Sequence, residues 1–238
     1  MSALESFERR NCGLFRIIGY ALLVLSLVDY INIFIPPKFL DPGWEFQTMG
    51  NLVERVPVPC LGLMLVFYGE NLFREKIEKP FLKLLSWAAL IVGVLFILLI
   101  PLGIRDSLRI DTNNEATIRY QANQQMSRSQ QVEQVLNQAT TPEQIANALT
   151  ALNNQRNLPP QIKQDPEKAK NQILSNIGNA KKRLQEQSEG AMKSRRQALI
   201  KQTIKINLGA LVSGCLFIYL WRISSWARRR QLRGPAKG

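Results

Sequence analysis

The sequence predicts an all-α integral membrane protein, with four transmembrane helices and a long extramembrane helical hairpin or coiled-coil insert between the third and fourth. Three observations predict it. Apolar residues gather into runs of membrane-crossing length in the first hundred or so positions and again near the C-terminus, while the middle is polar and rich in Gln and Asn. Lys and Arg flank the apolar runs, within a formal net charge of +13. Inside the polar middle, apolar and small residues recur at three-, four- and seven-residue steps, the spacing of one helix face. A mean hydropathy near zero therefore blends a membrane part with a soluble part.

Met1 to Asn11 is a short polar lead at the membrane surface, with Glu5, Glu8, Arg9 and Arg10 around Phe7. Leu14 to Ile35 follows, about 22 residues, enough to cross a hydrocarbon core of roughly 30 Å at about 1.5 Å per residue. The run is too long for the apolar part of a signal peptide, and no small-residue cleavage site follows it. Pro36-Pro37 ends the helix by removing backbone donors and disfavouring the α region in the preceding residue. Lys38 to Arg55 reads as a connecting loop, with Trp44 and Phe46 among Asp41, Pro42, Gly43 and Glu45, resting at headgroup level.

Val56 to Phe73 is the second predicted span, with Pro57 and Pro59 near its start, where missing donors cost least. Its length of about 18 residues is at the short end of the range. Arg74 to Lys83 is a short basic loop, with Glu70 and Asn71 marking the boundary before it. Phe81 to Ile104, through LIVGVLFILLI, is the third span, and Pro101 bends its end. These three spans make a membrane domain over residues 1–104.

Residues 105–203 form the insert. From Arg105 to Ala139 the helix is expected to continue, since Leu108, Ile118, Ala122, Val132, Leu136 and Ala139 recur near seven-residue spacing. Asp111, Glu115, Gln125 and Ser129 share that register, so the seam is weak. Thr141-Pro142-Glu143 is a helix start, with a capping hydroxyl, a proline at the first position and an acid in the first turn, and it predicts a short helix to about Asn154. A loop through Leu158-Pro159-Pro160 follows, and Asp165-Pro166-Glu167 repeats the same start. Ile173, Ile177, Ala180, Leu184, Ala191 and Ala198 then continue at helical steps toward the membrane. The Gln/Asn richness and the Lys181-Lys182-Arg183 and Arg195-Arg196 clusters read as solvated helix faces, with Lys193 to Lys201 close enough to meet anionic headgroups. Ile204 to Ile223 is the fourth span, within a segment reaching residue 226. Its small residues Gly209, Ala210, Ser213 and Gly214 offer a face for close helix packing, and Tyr219, Trp221 and Trp226 an aromatic belt.

The basic residues also predict the orientation. The N-terminal lead, the second loop and the tail over 227–238 are rich in Lys and Arg, whereas the first loop has only Lys38 and Arg55. By the positive-inside rule the termini are cytoplasmic and the insert lies on a periplasmic or lumenal side. Arg228, Arg229, Arg230 and Arg233 are the lipid-headgroup candidates, although topology alone explains them equally well.

Asp29 lies about six residues, or 9 Å, from the outer end of the first span, and an ionisable group there is a candidate functional residue. It either reaches the interface or pairs with an arginine such as Arg105, or it marks an ion or proton pathway. A transporter would be expected to show more intramembrane polar groups or matched broken spans. With no histidine in the chain, the usual general base and the commonest metal ligand are missing, so no catalytic, cofactor or metal site is expected. Cys12, Cys60 and Cys215 are too scattered for a disulfide framework. No helix-turn-helix, RNP or zinc-finger pattern appears, so nucleic acid is not an expected partner.

The FERRNCGLFRIIGYALLVLSLVDY stretch, the PP-containing first loop, and the Gln-rich helical insert before a final span with a basic tail resemble the HpsJ-like family of cyanobacterial membrane proteins. That family is associated with hormogonium polysaccharide and exosortase loci. The resemblance covers most of the chain, has no invariant catalytic motif, and implies a cyanobacterial plasma or thylakoid membrane and an accessory role. The expectation is thus a non-catalytic membrane scaffold that contacts lipids and a membrane protein complex or its own copies through the insert. The alternatives are a co-polymerase-like polysaccharide export component and a small transporter or channel.

Overall fold

The computed structural model describes residues 3–68, 78–139, 141, 144 and 166–228, which are helical almost throughout with no strand among them. Helix α1 (Ala3–Ile33) takes in the polar lead as well as the first apolar run, since no proline interrupts it. Its last turn tightens where Phe34 N–H donates to Ile31 C=O and Ile35 N–H to Asn32 C=O, at 3.2 and 3.3 Å.

The segment expected to be a connecting loop is largely a helix, α2 (Pro42–Glu54). The cause is local. Asp41 takes the N-cap position and accepts the Gly43 N–H at 3.0 Å, Pro42 stands at the first helical position, and Glu45 lies in the first turn. Helix α3 (Pro57–Phe67) follows almost at once. Pro57 has no N–H for the Val53 carbonyl, which accepts from Val56 N at 3.3 Å instead, so the chain breaks between the two helices.

This changes the second crossing. At about 1.5 Å per residue, the 11 residues of α3 reach only about half of a 30 Å hydrocarbon core. Among the described residues the stretch long and apolar enough to cross is Pro42–Phe67, 26 residues that join α2 to α3; the expected span 56–73 runs on past the described residues. Tyr68 is already extended (ψ 140°). Glu70, Asn71, Arg74 and Lys76 lie outside the described residues.

Helix α4 (Glu78–Gln138) runs 61 residues with Pro101 inside it, and α5 (Pro166–Ile223) runs 58. A four-residue helix, α6 (Ser225–Arg228), ends the described chain. Among the described residues four helical stretches are thus long and apolar enough to cross a membrane: Asn11–Ile33, Pro42–Phe67, and one each within α4 and α5. The short helix expected after Thr141 lies outside the described residues, apart from the Gln144 N–H donated to the Thr141 carbonyl at 3.1 Å.

The chain divides into two compact units, Met1–Ile110 with Ile200–Gly238, and Asp111–Leu199. The core of the first holds Val66, Leu82, Ala89, Phe96, Ala210 and Phe217, with the Phe96 and Phe217 rings stacked at 5.9 Å. Its helices approach at glycines. A Cβ on Gly19 of α1 would lie 2.8 Å from the Gly62 carbonyl of α3, and one on Gly214 of α5 would lie 3.0 Å from the Gly93 carbonyl of α4. Such contact is what small residues permit where lipid removes the hydrophobic drive between helices.

In the second unit α4 and α5 lie against each other. Val132, Leu136 and Ala139 bury an apolar cluster with Ile177, edged by Ile173 and Leu174. Polar contacts extend it. Lys181 pairs with Glu133, Lys170 Nζ donates to the carbonyls of Asn137 and Ala139, and Arg196 pairs with Asp111 at 3.5 Å.

Candidate functional site

One group of polar side chains in the first unit lies where the end of α1 meets α2. Asp29, one turn before the end of α1, pairs through Oδ1 with Arg55 Nη1 at 2.9 Å, both side chains about half exposed. The partner is thus Arg55 at the break between α2 and α3, and not Arg105. Next to that pair, Glu54 accepts from Lys205 Nζ at 2.7 Å on the exposed surface. Among these groups a cleft of about 270 Å³ is lined by Asn32 from α1 and by Trp44, Gln47, Thr48, Asn51 and Arg55.

A second cluster braces the loop in front of α2. Asp106 is fully buried, and neither of its oxygens has a hydrogen-bond donor. Arg109 Nη1 stands 3.5 Å from it and 3.9 Å from Glu45. Burial first, and then the negative charge of nearby Glu45, hold the Asp106 carboxyl above its ordinary value of 3.8, with Arg105 and Arg109 pulling it down. Two bare carboxylates have no donor between them; a proton kept on Asp106 supplies one.

The same groups grip Leu40. Its N–H donates to Glu45 Oε1 at 3.0 Å and its carbonyl accepts from Arg109 Nη2 at 3.5 Å. Leu40 has φ 81°, a left-handed conformation unfavourable for a residue with a Cβ. Two bonds to its own peptide groups hold it there. The loop is further fixed by Trp44, whose ring meets Phe39 edge-on at 5.3 Å and Phe34 at 6.5 Å.

At the opposite end of the bundle, Ser86 and Ser224 are both fully buried, with their hydroxyls 2.7 Å apart. Arg228 donates to Ser86 Oγ at 3.0 Å, and its guanidinium lies 4.1 Å from the Trp221 ring centre and 5.9 Å from that of Trp87. Arg228 was expected to be a lipid-headgroup contact. Its guanidinium turns toward these two aromatic rings and the buried Ser86 hydroxyl. Arg229, Arg230 and Arg233 lie outside the described residues.

The small residues of α5 occupy close contacts. Ala210 is fully buried, Ser213 Oγ returns its hydrogen bond to the Gly209 carbonyl at 2.7 Å, a Cβ on Gly209 would strike Val53, and Gly214 faces Gly93 and Ile97. Sequence reasoning missed Glu45, Asp106, Arg109, Ser86 and Ser224. Only one of these left a signal: Glu45 follows an Asp-Pro start, the pattern recognised at Thr141 and Asp165.

No curated protein and no solved structure is significantly similar to the chain. The family model for HpsJ-like proteins matches residues 10–225, which take in all four candidate spans, the whole of the second compact unit and most of the first. With nine-tenths of its length so matched, the chain belongs to the HpsJ-like family.

Proposed function

We propose that this protein is a non-catalytic integral membrane accessory or scaffold, which holds the paired helices of Asp111–Leu199 for contact with a membrane protein complex or with further copies of itself. One observation carries the reading: the seam of that pair is under-filled. Residues 111–138 of α4 cover about four heptads, which in a self-sufficient coiled coil would supply about eight apolar seam positions. Only Ile118, Val132 and Leu136 are buried hydrophobics there, while Tyr120 and Val135 are exposed. A neighbouring helix completes such a surface.

In this reading the termini face the cytoplasm, the helical pair lies in a periplasm or lumen, and the membrane is the plasma or thylakoid membrane of a cyanobacterium. Membrane lipids and the partner complex are its ligands, with no cofactor and no nucleic acid. The ion pair of Asp29 with Arg55 supports a structural role for Asp29 over an ion pathway. The family's association with polysaccharide loci, and a long helical pair carried between crossing segments, favour a second reading as a co-polymerase-like export component.

The test is purification of the tagged full chain from its native membrane in mild detergent, with native-gel sizing and mass spectrometry of what accompanies it. Co-migration at fixed stoichiometry within a larger complex is the expected result. A homo-oligomer accompanied only by polysaccharide enzymes would select the second reading, and a lone monomer would overturn both. A transporter would require a flux that Asp29→Asn abolishes with assembly intact.

A further inference from the structure

Helix α2 has two faces. Met49, Gly50 and Val53 turn to the bundle, where they meet Gly103, Ile206 and Gly209. Trp44, Gln47, Thr48, Asn51 and Arg55 recur at three- and four-residue steps and so share the other face. That face lines the cleft that Asn32 closes from α1, with Ile33 and Ile35 as its apolar edge.

Three features define what fits there. Among the described residues the side chains of Asn32, Gln47, Thr48 and Asn51 make no hydrogen bond, so three amides and a hydroxyl converge on one space as uncommitted donors and acceptors. The cleft has no net charge, because Asp29 occupies Arg55 at 2.9 Å and a phosphate would have to displace it. One wall is an indole held between Phe34 and Phe39. Groups that give and accept hydrogen bonds at once suit hydroxyls, neutrality disfavours an anion, and an aromatic face suits the C–H face of a pyranose ring. The volume of about 270 Å³ is just below the range of about 300–1,000 Å³ for drug-sized ligands, so it admits one ring and not a chain.

We propose that this cleft binds a single neutral, polyhydroxylated sugar ring, presented either as a glycolipid headgroup or as a free saccharide. The apolar edge at Ile33 and Ile35 lets a ring attached to an acyl chain enter from the membrane. The site stands on the geometry of α1 and α2 and does not depend on the scaffold reading. The rim is held by the protein's own contacts at Leu40 and Trp44, which lowers the entropy lost on binding.

The experiment uses the full chain in phosphatidylcholine nanodiscs doped with monogalactosyl-diacylglycerol or with phosphatidylglycerol. Bound lipid is counted by native mass spectrometry, with and without free methyl galactoside. The galactolipid should be retained over both phospholipids, and the Gln47→Ala/Asn51→Ala variant should weaken retention about tenfold, the expected loss for two hydrogen bonds. Thermal unfolding of the variant, expected to match the parent because alanine favours the helix, separates lost binding from lost folding. Competition by methyl galactoside supports the free saccharide as ligand, and retention that the free sugar does not displace supports the headgroup. Retention of phosphatidylglycerol equal to that of the galactolipid, or a folded variant that binds as well as the parent, would overturn the proposal.

Discussion

In the unit formed by Met1–Ile110 and Ile200–Gly238, a methyl group added at Gly93 or Gly214 would stand 3.1 or 3.0 Å from the backbone oxygen of the other glycine. In the unit Asp111–Leu199, Gly178 and Gly190 have nothing within 4 Å. The same residue type thus has opposite meanings in one chain. Among the apolar helices, glycine is a contact: it lets backbones approach where dispersion has to replace the hydrophobic drive. In the polar pair it is only a weak spot in a helix, since cohesion there comes from a few apolar side chains around Leu136 and from ion pairs such as Lys181 with Glu133.

The largest test of this contrast is overpacking. Gly214→Leu, or Gly19→Leu against the Gly62 carbonyl, should cost about 3 kcal/mol or more, because backbone atoms cannot move aside as side chains do. The readout is thermal unfolding in detergent by circular dichroism; a variant with the parent's midpoint would refute close packing at these glycines. Next in size, Leu136→Ala should cost about 2–5 kcal/mol for a fully buried leucine. Hydrogen exchange should quicken in 111–138 and 166–199 and stay unchanged in 81–100. Equal quickening in both would mean that the two units open together.

A smaller effect is expected from Asp106. Its carboxyl titrates above the ordinary value of 3.8 in the folded protein, so the native state keeps a proton that the unfolded chain releases. That stabilisation is present at low pH and is lost as pH rises through the folded-state value. The unfolding midpoint of the parent should therefore fall as the pH is raised above the ordinary carboxylate value. The neutral side chain of Asp106→Asn should flatten the curve, and an unchanged slope in that variant would assign the dependence elsewhere. Smallest, and opposite in sign to the first, Gly190→Ala should stabilise by about 0.5–1 kcal/mol, since nothing obstructs the new methyl. A loss of stability on chemical denaturation would show that the open space around Gly190 is filled in the folded protein.

Much of the site is legible in the local sequence. The Asp41-Pro42 start with Glu45 is the same capping chemistry that located helix starts at Thr141 and Asp165, and the steps from Trp44 to Arg55 are a helical stripe. The Trp-Glu-Phe and Pro-Gly content masked them as a loop. Other features left no local trace. Ser86 and Ser224 are 138 positions apart, Asp29 had several arginines within plausible reach, and nothing in the composition of the tail turns Arg228 back over Trp221.

The sequence by itself determined the helical class, the long runs of α4 and α5, the presence of apolar stretches long enough to cross a membrane, and the thinness of the polar seam. Those properties follow from propensity, capping and periodicity, which act over a few neighbouring residues. Only the tertiary structure decided that α2 joins α3 in the second stretch long enough to cross, that Arg55 pairs with Asp29, that Arg109 lies between Glu45 and buried Asp106, and that uncommitted amides from α1 and α2 face one cleft. Each depends on the rotation and depth at which one helix settles against another. Side-chain volumes scattered over the whole chain set that placement, including the absent side chains of Gly19, Gly62, Gly93 and Gly214.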